Sequence, residues 1–259
     1  MLSWQKLSGS CVAIWWLTTA SWAQAIPSTE TATTLFQSLE THFAGATDLR
    51  YVVEKTSRME RETTKERWTF AYHAPDQVRI DYQEPSERVL VANESSLWEY
   101  IPAARKAMRT QLDKLPPAKR QAVIASVLGR VSVDGIRLGD YHGMLSRVTQ
   151  IRTNPDQPSV VLVEGVDPRF VVGIDTGKNV LISTEIYKPD GSLALRTVAS
   201  DFWEVFPSFW FPRLIRATYG TDKGFITTDT AISSFQADAE AMKGLFHFIP
   251  PKGVTVVEN

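Results

Sequence analysis

The chain has 259 residues, with 28 Lys and Arg against 29 Asp and Glu and a single cysteine, Cys11. Charge this evenly balanced offers no basic field for a polyanion, which argues against nucleic-acid binding. A lone cysteine near the amino terminus leaves the rest of the chain without disulfides, thiol catalysis or thiolate metal sites.

Residues 1–25 read as a cleavable signal peptide. One cation, Lys6, precedes an apolar stretch from Cys11 to Trp22, and the segment closes on the small-x-small triplet Ala23-Gln24-Ala25. The apolar stretch is well short of the ~20 residues that cross a bilayer. Cys11 stands before the apolar stretch, whereas an acylated cysteine follows it, so a lipoprotein signal is not expected. The reading is export to the periplasm, cleavage after Ala25, and a single domain over residues 26–259.

Leu35, Leu39 and Phe43 then recur at helical spacing, predicting an amphipathic helix over residues 30–45 with Gly45 near its end. From Leu49 the period changes to two. Trp68, Phe70 and Tyr72 alternate with Thr69 and Ala71, and Val78, Ile80 and Tyr82 alternate with Arg79 and Asp81. Val89–Ala92 and Leu97–Ile101 are further strands around the turn-prone Asn93-Glu94-Ser95-Ser96. Strands this closely spaced imply antiparallel hairpins. Because residues i and i+2 share a sheet face, Trp68, Phe70, Tyr72, Val78, Ile80, Tyr82, Leu90, Trp98 and Tyr100 are expected to face one apolar space. The face taken by Leu90 and Trp98 is the least determined, since both sides of those strands are apolar.

Residues 114–130 interrupt the strands. After Pro116-Pro117, Val123, Ile124, Val127 and Leu128 line one face of a short amphipathic helix that ends at Gly129, with Lys119 and Arg120 on the outer side. Periodicity leaves two roles open for it, a helix packed on the sheet or a lid over one face of a curved sheet. Strand candidates resume at Leu145–Arg152, Val160–Gly165, Phe170–Asp175, Val180–Lys188, Leu193–Trp203, Trp210–Tyr219 and Phe225–Phe235, with turns at Asn154-Pro155, Asp175–Gly177, Pro189–Gly191 and Thr221–Gly224. Ala237–Leu245 reads as a brief helix and Phe246–Phe248 as a last short strand. The architecture is α+β, mainly antiparallel β.

A search for reactive groups yields none. His42, His73, His142 and His247 share no ligand spacing, so no metal is expected. The chain has no GxSxG or SxxK serine and neither a P-loop nor GxGxxG. The carboxylate pairs Glu60/Glu62 and Asp238/Glu240 sit among charged neighbours and read as solvated faces. The expectation is a protein that is not an enzyme and uses no cofactor. Phe206-Pro-Ser-Phe-Trp-Phe-Pro212 stands out instead, reading either as a core aromatic cluster or as an apolar mouth or docking patch.

Two stretches carry a family likeness. Pro75-Asp-Gln-Val-Arg-Ile-Asp-Tyr-Gln-Glu-Pro85, followed by Val89–Ala92 and Leu97-Trp-Glu-Tyr-Ile-Pro102, resembles the early half of the periplasmic outer-membrane lipoprotein carriers, the LolA/LolB family. Phe246-His-Phe-Ile-Pro-Pro-Lys-Gly-Val254 resembles their closing segment. Val163–Phe170 through Tyr187–Leu193 is similar to the MucB/RseB envelope-stress regulators of the same architecture. The chain departs from the carriers at Ala74, where they place an Arg that helps hold a lid shut, and at Asn93-Glu94, where they tend to have Asp-Gly.

The resemblance implies an unclosed β-barrel of about eleven antiparallel strands around an apolar cavity, with short helices as a lid. It implies a monomeric carrier of lipoprotein acyl chains or other lipids, served by an inner-membrane exporter and an outer-membrane acceptor. The alternative is a sensor of the same fold that acts by protein contact.

Overall fold

The computed structural model describes residues 29–131, 145–222, 224–237, 242 and 244–258. The signal segment with its cleavage site, and His142, lie outside the described residues.

Helix α1 (Thr29–Ala44) buries Ala32, Phe36 and Leu39, spaced four and three apart on one side. Its apolar face is therefore centred on Phe36, with Leu35 and Phe43 partly buried at its margins. A meander follows: β1 (Asp48–Met59), β2 (Glu62–His73), β3 (Gln77–Glu84), β4 (Arg88–Ala92), β5 (Ser96–Ile101) and, after a 3-10 turn, β6 (Lys106–Gln111). Helix α2 (Pro117–Val131) opens with proline at its first position, where the missing N–H costs no hydrogen bond. The second meander comprises β7 (Val148–Asn154), β8 (Gln157–Gly165), β9 (Phe170–Asp175), β10 (Val180–Tyr187), β11 (Leu193–Phe206), β12 (Phe209–Thr221) and β13 (Gly224–Gln236), and β14 (Thr255–Glu258) closes the chain.

All fourteen strands form one sheet in the order β14-β6-β5-β4-β3-β2-β1-β13-β12-β11-β10-β9-β8-β7. The two meanders join where β1 pairs antiparallel with β13, Val53 opposite Ile232. Among the described strands only β14 and β6 run parallel. The terminal strands β14 and β7 do not pair with each other, so the barrel stays open. Twist accumulated over so many strands curls the sheet, and both helices pack on one side of it. That side is called the inner face here.

The count exceeds the eleven strands implied by resemblance. β6, Lys-Ala-Met-Arg-Thr-Gln, has little apolar alternation, and β14 finds its partner far away in sequence. Phe246–Phe248 is not a strand. It belongs to an irregular segment laid across the outer face, which then leads into β14. Of the helix expected over Ala237–Leu245, Met242 is helical and Gly244 and Leu245 form a turn, while residues 238–241 and 243 lie outside the described residues.

Two apolar clusters fill the inner face. One joins β1–β4 to β11–β13 through Tyr51, Val53, Phe70, Ile80, Leu90, Phe209, Phe211 and Ile232. The other seats Phe36 and Leu39 of α1 on Val163, Phe170, Val172, Ile174 and Leu181 of β8–β10. In the second, Gly165 faces Phe170 across the β8–β9 ladder. A Cβ at Gly165 would stand 2.1 Å from Cζ of Phe170, so the ring lies where a side chain would otherwise project.

Candidate functional site

The larger cluster is the candidate site, and its geometry follows from register. Phe70 lies opposite Tyr51 on β1 and Ile80 on β3, and Ile80 lies opposite Leu90 on β4, so these residues form one row across four strands. Trp68 and Tyr82 make a second row, their rings 6.2 Å apart. Tyr72 and Val78 make a third, with Val78 opposite Ala92. Strands from the other meander complete the set. Tyr51 stands 4.9 Å from Phe70, 5.4 Å from Phe211 and 5.5 Å from Phe235, between ring centroids. Burial pushes the Tyr51 phenol well above its usual range, so it stays neutral at any physiological pH.

Seven of the nine residues expected to face one space thus do share the inner face: Trp68, Phe70, Tyr72, Val78, Ile80, Tyr82 and Leu90. Trp98 and Tyr100 do not. β5 pairs with β4 so that Leu90 meets Glu99 and Val91 meets Trp98, which turns Trp98 and Tyr100 to the outer face and Leu97 inward. Their cover is Phe248, 5.5 Å from Trp98 and 5.7 Å from Tyr100, with the Arg109 guanidinium 5.3 Å from the Trp98 ring. The same segment is held by Arg79, whose Nη1 donates to the carbonyl of Leu245 at 3.0 Å, and by Asn93, whose Nδ2 donates to that of Phe246 at 2.9 Å.

Helix α2 reaches the candidate site through Val127, which is 2% exposed and packed within the aromatic cluster. Ile124 is buried one turn earlier and Val123 is partly buried. The side chain of Leu128 lies outside the described residues. Val127 shares in the apolar cluster formed by the two meanders.

The aromatic run Phe206–Pro212 divides between two settings. Phe209 and Phe211 are core residues, and Phe206 stacks on Phe209 with centroids 4.5 Å apart. Trp210 points the other way, beneath the Lys178 ammonium 5.4 Å from its ring. Sequence reasoning offered Phe209 and Phe211 as core aromatics but missed the contributions of Tyr51, Ile232 and Phe235 to the cluster, and did not connect any of them to Phe70. Their alternation within β1, β12 and β13 was the available signal, but only the β1–β13 pairing reveals that they meet Phe70.

Tyr51, Phe70, Val78, Ile80 and Leu90 are buried within the cluster, so hydrocarbon contact, worth ~0.8 kcal/mol for each methylene withdrawn from water, is already made there between the protein's own side chains. Among the described residues, three of the clefts lie elsewhere. One of 480 Å³ adjoins the carboxyl-terminal segment at His73, Asn93 and Phe246. One of 550 Å³ separates α1 from the β11–β12 hairpin. The third, of 620 Å³, lies on the outer face around Val198, Leu214 and Asp229.

In fold, this open, helix-covered sheet is similar to LolA-like proteins. Residues 46–128, from the start of β1 through most of α2, match the family model described as outer membrane lipoprotein carrier protein LolA. The chain is similar in fold to a domain described as an outer membrane lipoprotein-sorting protein from Vibrio parahaemolyticus, with 12% identity and a TM-score of 0.55 over 85% of this chain and 97% of that one. It is likewise similar to a LolA superfamily protein from Nitrosomonas europaea, with 11% identity and a TM-score of 0.50 over 82% of this chain and 96% of that one. The MucA/MucB complex of Pseudomonas aeruginosa aligns over 81% of this chain and 99% of that one at 10% identity, but its TM-score of 0.30 is too slight to bear on function. No curated protein matches by sequence.

Proposed function

We propose that the protein is a non-enzymatic periplasmic carrier that holds acyl chains of lipoproteins or other lipids against the inner face of its sheet. The observation that carries this reading is the seat of Val127 in the aromatic cluster. The short helix α2 seats Val127 in the larger of the inner-face apolar clusters, and an apolar surface left open would invite aggregation. In the closed state the cluster's side chains and Val127 fill the space. An acyl chain would enter as α2 withdraws, exchanging one set of apolar contacts for another. The lining is Trp68, Phe70, Tyr72, Val78, Ile80, Tyr82 and Leu90, with Ile124 and Val127 as the covering residues.

The family match supports transport between membranes, with an inner-membrane exporter supplying cargo and an outer-membrane acceptor receiving it. Export through the segment ending at Ala25 fits that route. Among the described residues no helix is long and apolar enough to cross a membrane. The test is native mass spectrometry of protein recovered from the periplasm. A chain beginning at Ile26 with bound lipid or lipopeptide is expected; protein recovered without lipid, and unable to take up acylated peptide when offered it, contradicts the reading.

A further inference from the structure

The 550 Å³ cleft between α1 and the β11–β12 hairpin differs in chemistry from the candidate site and from the other clefts. Its volume falls in the range of about 300–1,000 Å³ usual for small-molecule sites. Thr34, Gln37, Ser38 and Thr41 of α1 line one wall, and the Phe206–Phe209 turn lines the other. Asp, Glu, Lys and Arg are absent from its described lining. By contrast, the outer-face cleft carries Glu54, Arg216 and Asp229, and the cleft beside the carboxyl-terminal segment carries Glu94 and two histidines.

We propose that this cleft binds an uncharged, hydroxyl-rich ring: a sugar unit, whether of a glycolipid headgroup or of a free glycan. A phosphate, carboxylate or ammonium group would lose its hydration there without meeting an opposite charge. A bare acyl chain would cover the exposed Gln37 amide and Thr41 hydroxyl without offering either a hydrogen bond. A sugar satisfies both walls. Its hydroxyls donate and accept, as do the Gln, Asn, Ser and Thr side chains, and its C–H face suits an aromatic surface.

The aromatic wall is already assembled. Phe206 stacks on Phe209 with rings 5° from parallel, and Phe209 stacks on His42 at 4.8 Å and 11°. The His42 Nε2–H donates to the carbonyl of Trp210 at 3.2 Å, which leaves Nδ1 as an acceptor. Burial lowers the pKa of His42, against the opposing effect of that hydrogen bond, so the ring is neutral. The Ser38 hydroxyl donates to Asn179 Oδ1 at 2.8 Å and fixes α1 to the β9–β10 turn. Both turns at the cleft hold a non-glycine residue in the left-handed region, Asn179 at φ 54° and Ser208 at φ 65°. Serine is costlier there than glycine, and what it adds is a hydroxyl at the cleft.

The proposal stands independently of acyl carriage, and its test reads the two separately. The His42 imidazole resonance, assigned by its loss in His42→Gln, is followed in the full folded chain. Octyl glucoside below its micelle concentration, octanoate and free glucose are the probes. Octyl glucoside is expected to shift the resonance saturably, at least tenfold more tightly than octanoate. In Gln37→Ala/Thr41→Ala, whose changes lie at exposed positions of α1, glucoside affinity is expected to fall at least fivefold while octanoate binding is unchanged. Shifts with glucose alone assign a free glycan; shifts requiring the octyl chain assign a glycolipid headgroup. The proposal is overturned if octanoate matches the glucoside at His42, or if the double variant binds the glucoside as the parent does. Failure of octanoate to bind anywhere would count against the carrier reading alone.

Discussion

Replacing Val127 with Ala isolates the contribution of α2 to the closed state. Val127 is almost wholly buried, so the change removes two methyl groups from the aromatic cluster. At ~0.8 kcal/mol each, with a cavity term where the neighbouring side chains do not close in, the closed state loses about 1.5–2.5 kcal/mol. Because 1.4 kcal/mol is a factor of ten, the open population rises by roughly tenfold or more. If an acyl chain occupies the surface that Val127 covers, closing competes with binding, and a fluorescent acyl probe should bind Val127→Ala roughly tenfold more tightly. Val172→Ala is the matched control. It deletes the same groups from the cluster beneath α1, and should lower the melting temperature without tightening the probe. Circular dichroism establishes that both variants keep the sheet. Unchanged or weaker probe binding in Val127→Ala would show that α2 is ordinary packing and not a cover.

Phe248→Ala should uncover Trp98 and Tyr100 on the outer face, increase protease cleavage near residues 244–254 and leave acyl-probe affinity unchanged; loss of probe binding would place the site on the wrong face. His42, with its pKa held below 6.5 by burial, contributes stability that is complete above the unfolded value and is lost as pH falls through the folded one. The thermal midpoint should therefore drop between pH 7 and pH 5, and less steeply in His42→Gln; equal slopes would contradict this assignment. Gly165→Ala should be strongly destabilising, since its Cβ collides with the Phe170 ring and with the Arg147 carbonyl at 2.6 Å, and a melting temperature within a degree of the parent would refute the close approach.

The strands of the first meander were legible wherever one face is apolar and the other polar. Trp68-Thr-Phe-Ala-Tyr72 and Val78-Arg-Ile-Asp-Tyr82 take the faces that period two assigns them. β5 defeated the same reasoning because Leu97 and Ile101 compete with Trp98 and Tyr100. What decides between them is Phe248, brought over the outer face by a segment about 150 residues further along the chain, and such nonlocal cover has no local signature. In α1 the expected stripe Leu35, Leu39 and Phe43 shares Leu39 with the observed one, Ala32, Phe36 and Leu39, and its other two members fall at the margins, an offset that 3.6-residue periodicity tolerates. The cleft beside His42 was not legible at all. It is built from turns at Asn179 and Ser208 whose proximity to α1 depends on the β9–β12 register.

The most direct test of the carrier account is photocrosslinking with an acylated peptide that bears a diazirine within its acyl chain, mapped by mass spectrometry on the intact chain. The account requires adducts on inner-face residues such as Trp68, Phe70, Tyr82 and Leu90, diminished when unlabelled lipopeptide competes. Adducts confined to the outer face, at Val198 and Leu214 or at Trp98 and Tyr100, or an absence of competable labelling, would contradict it.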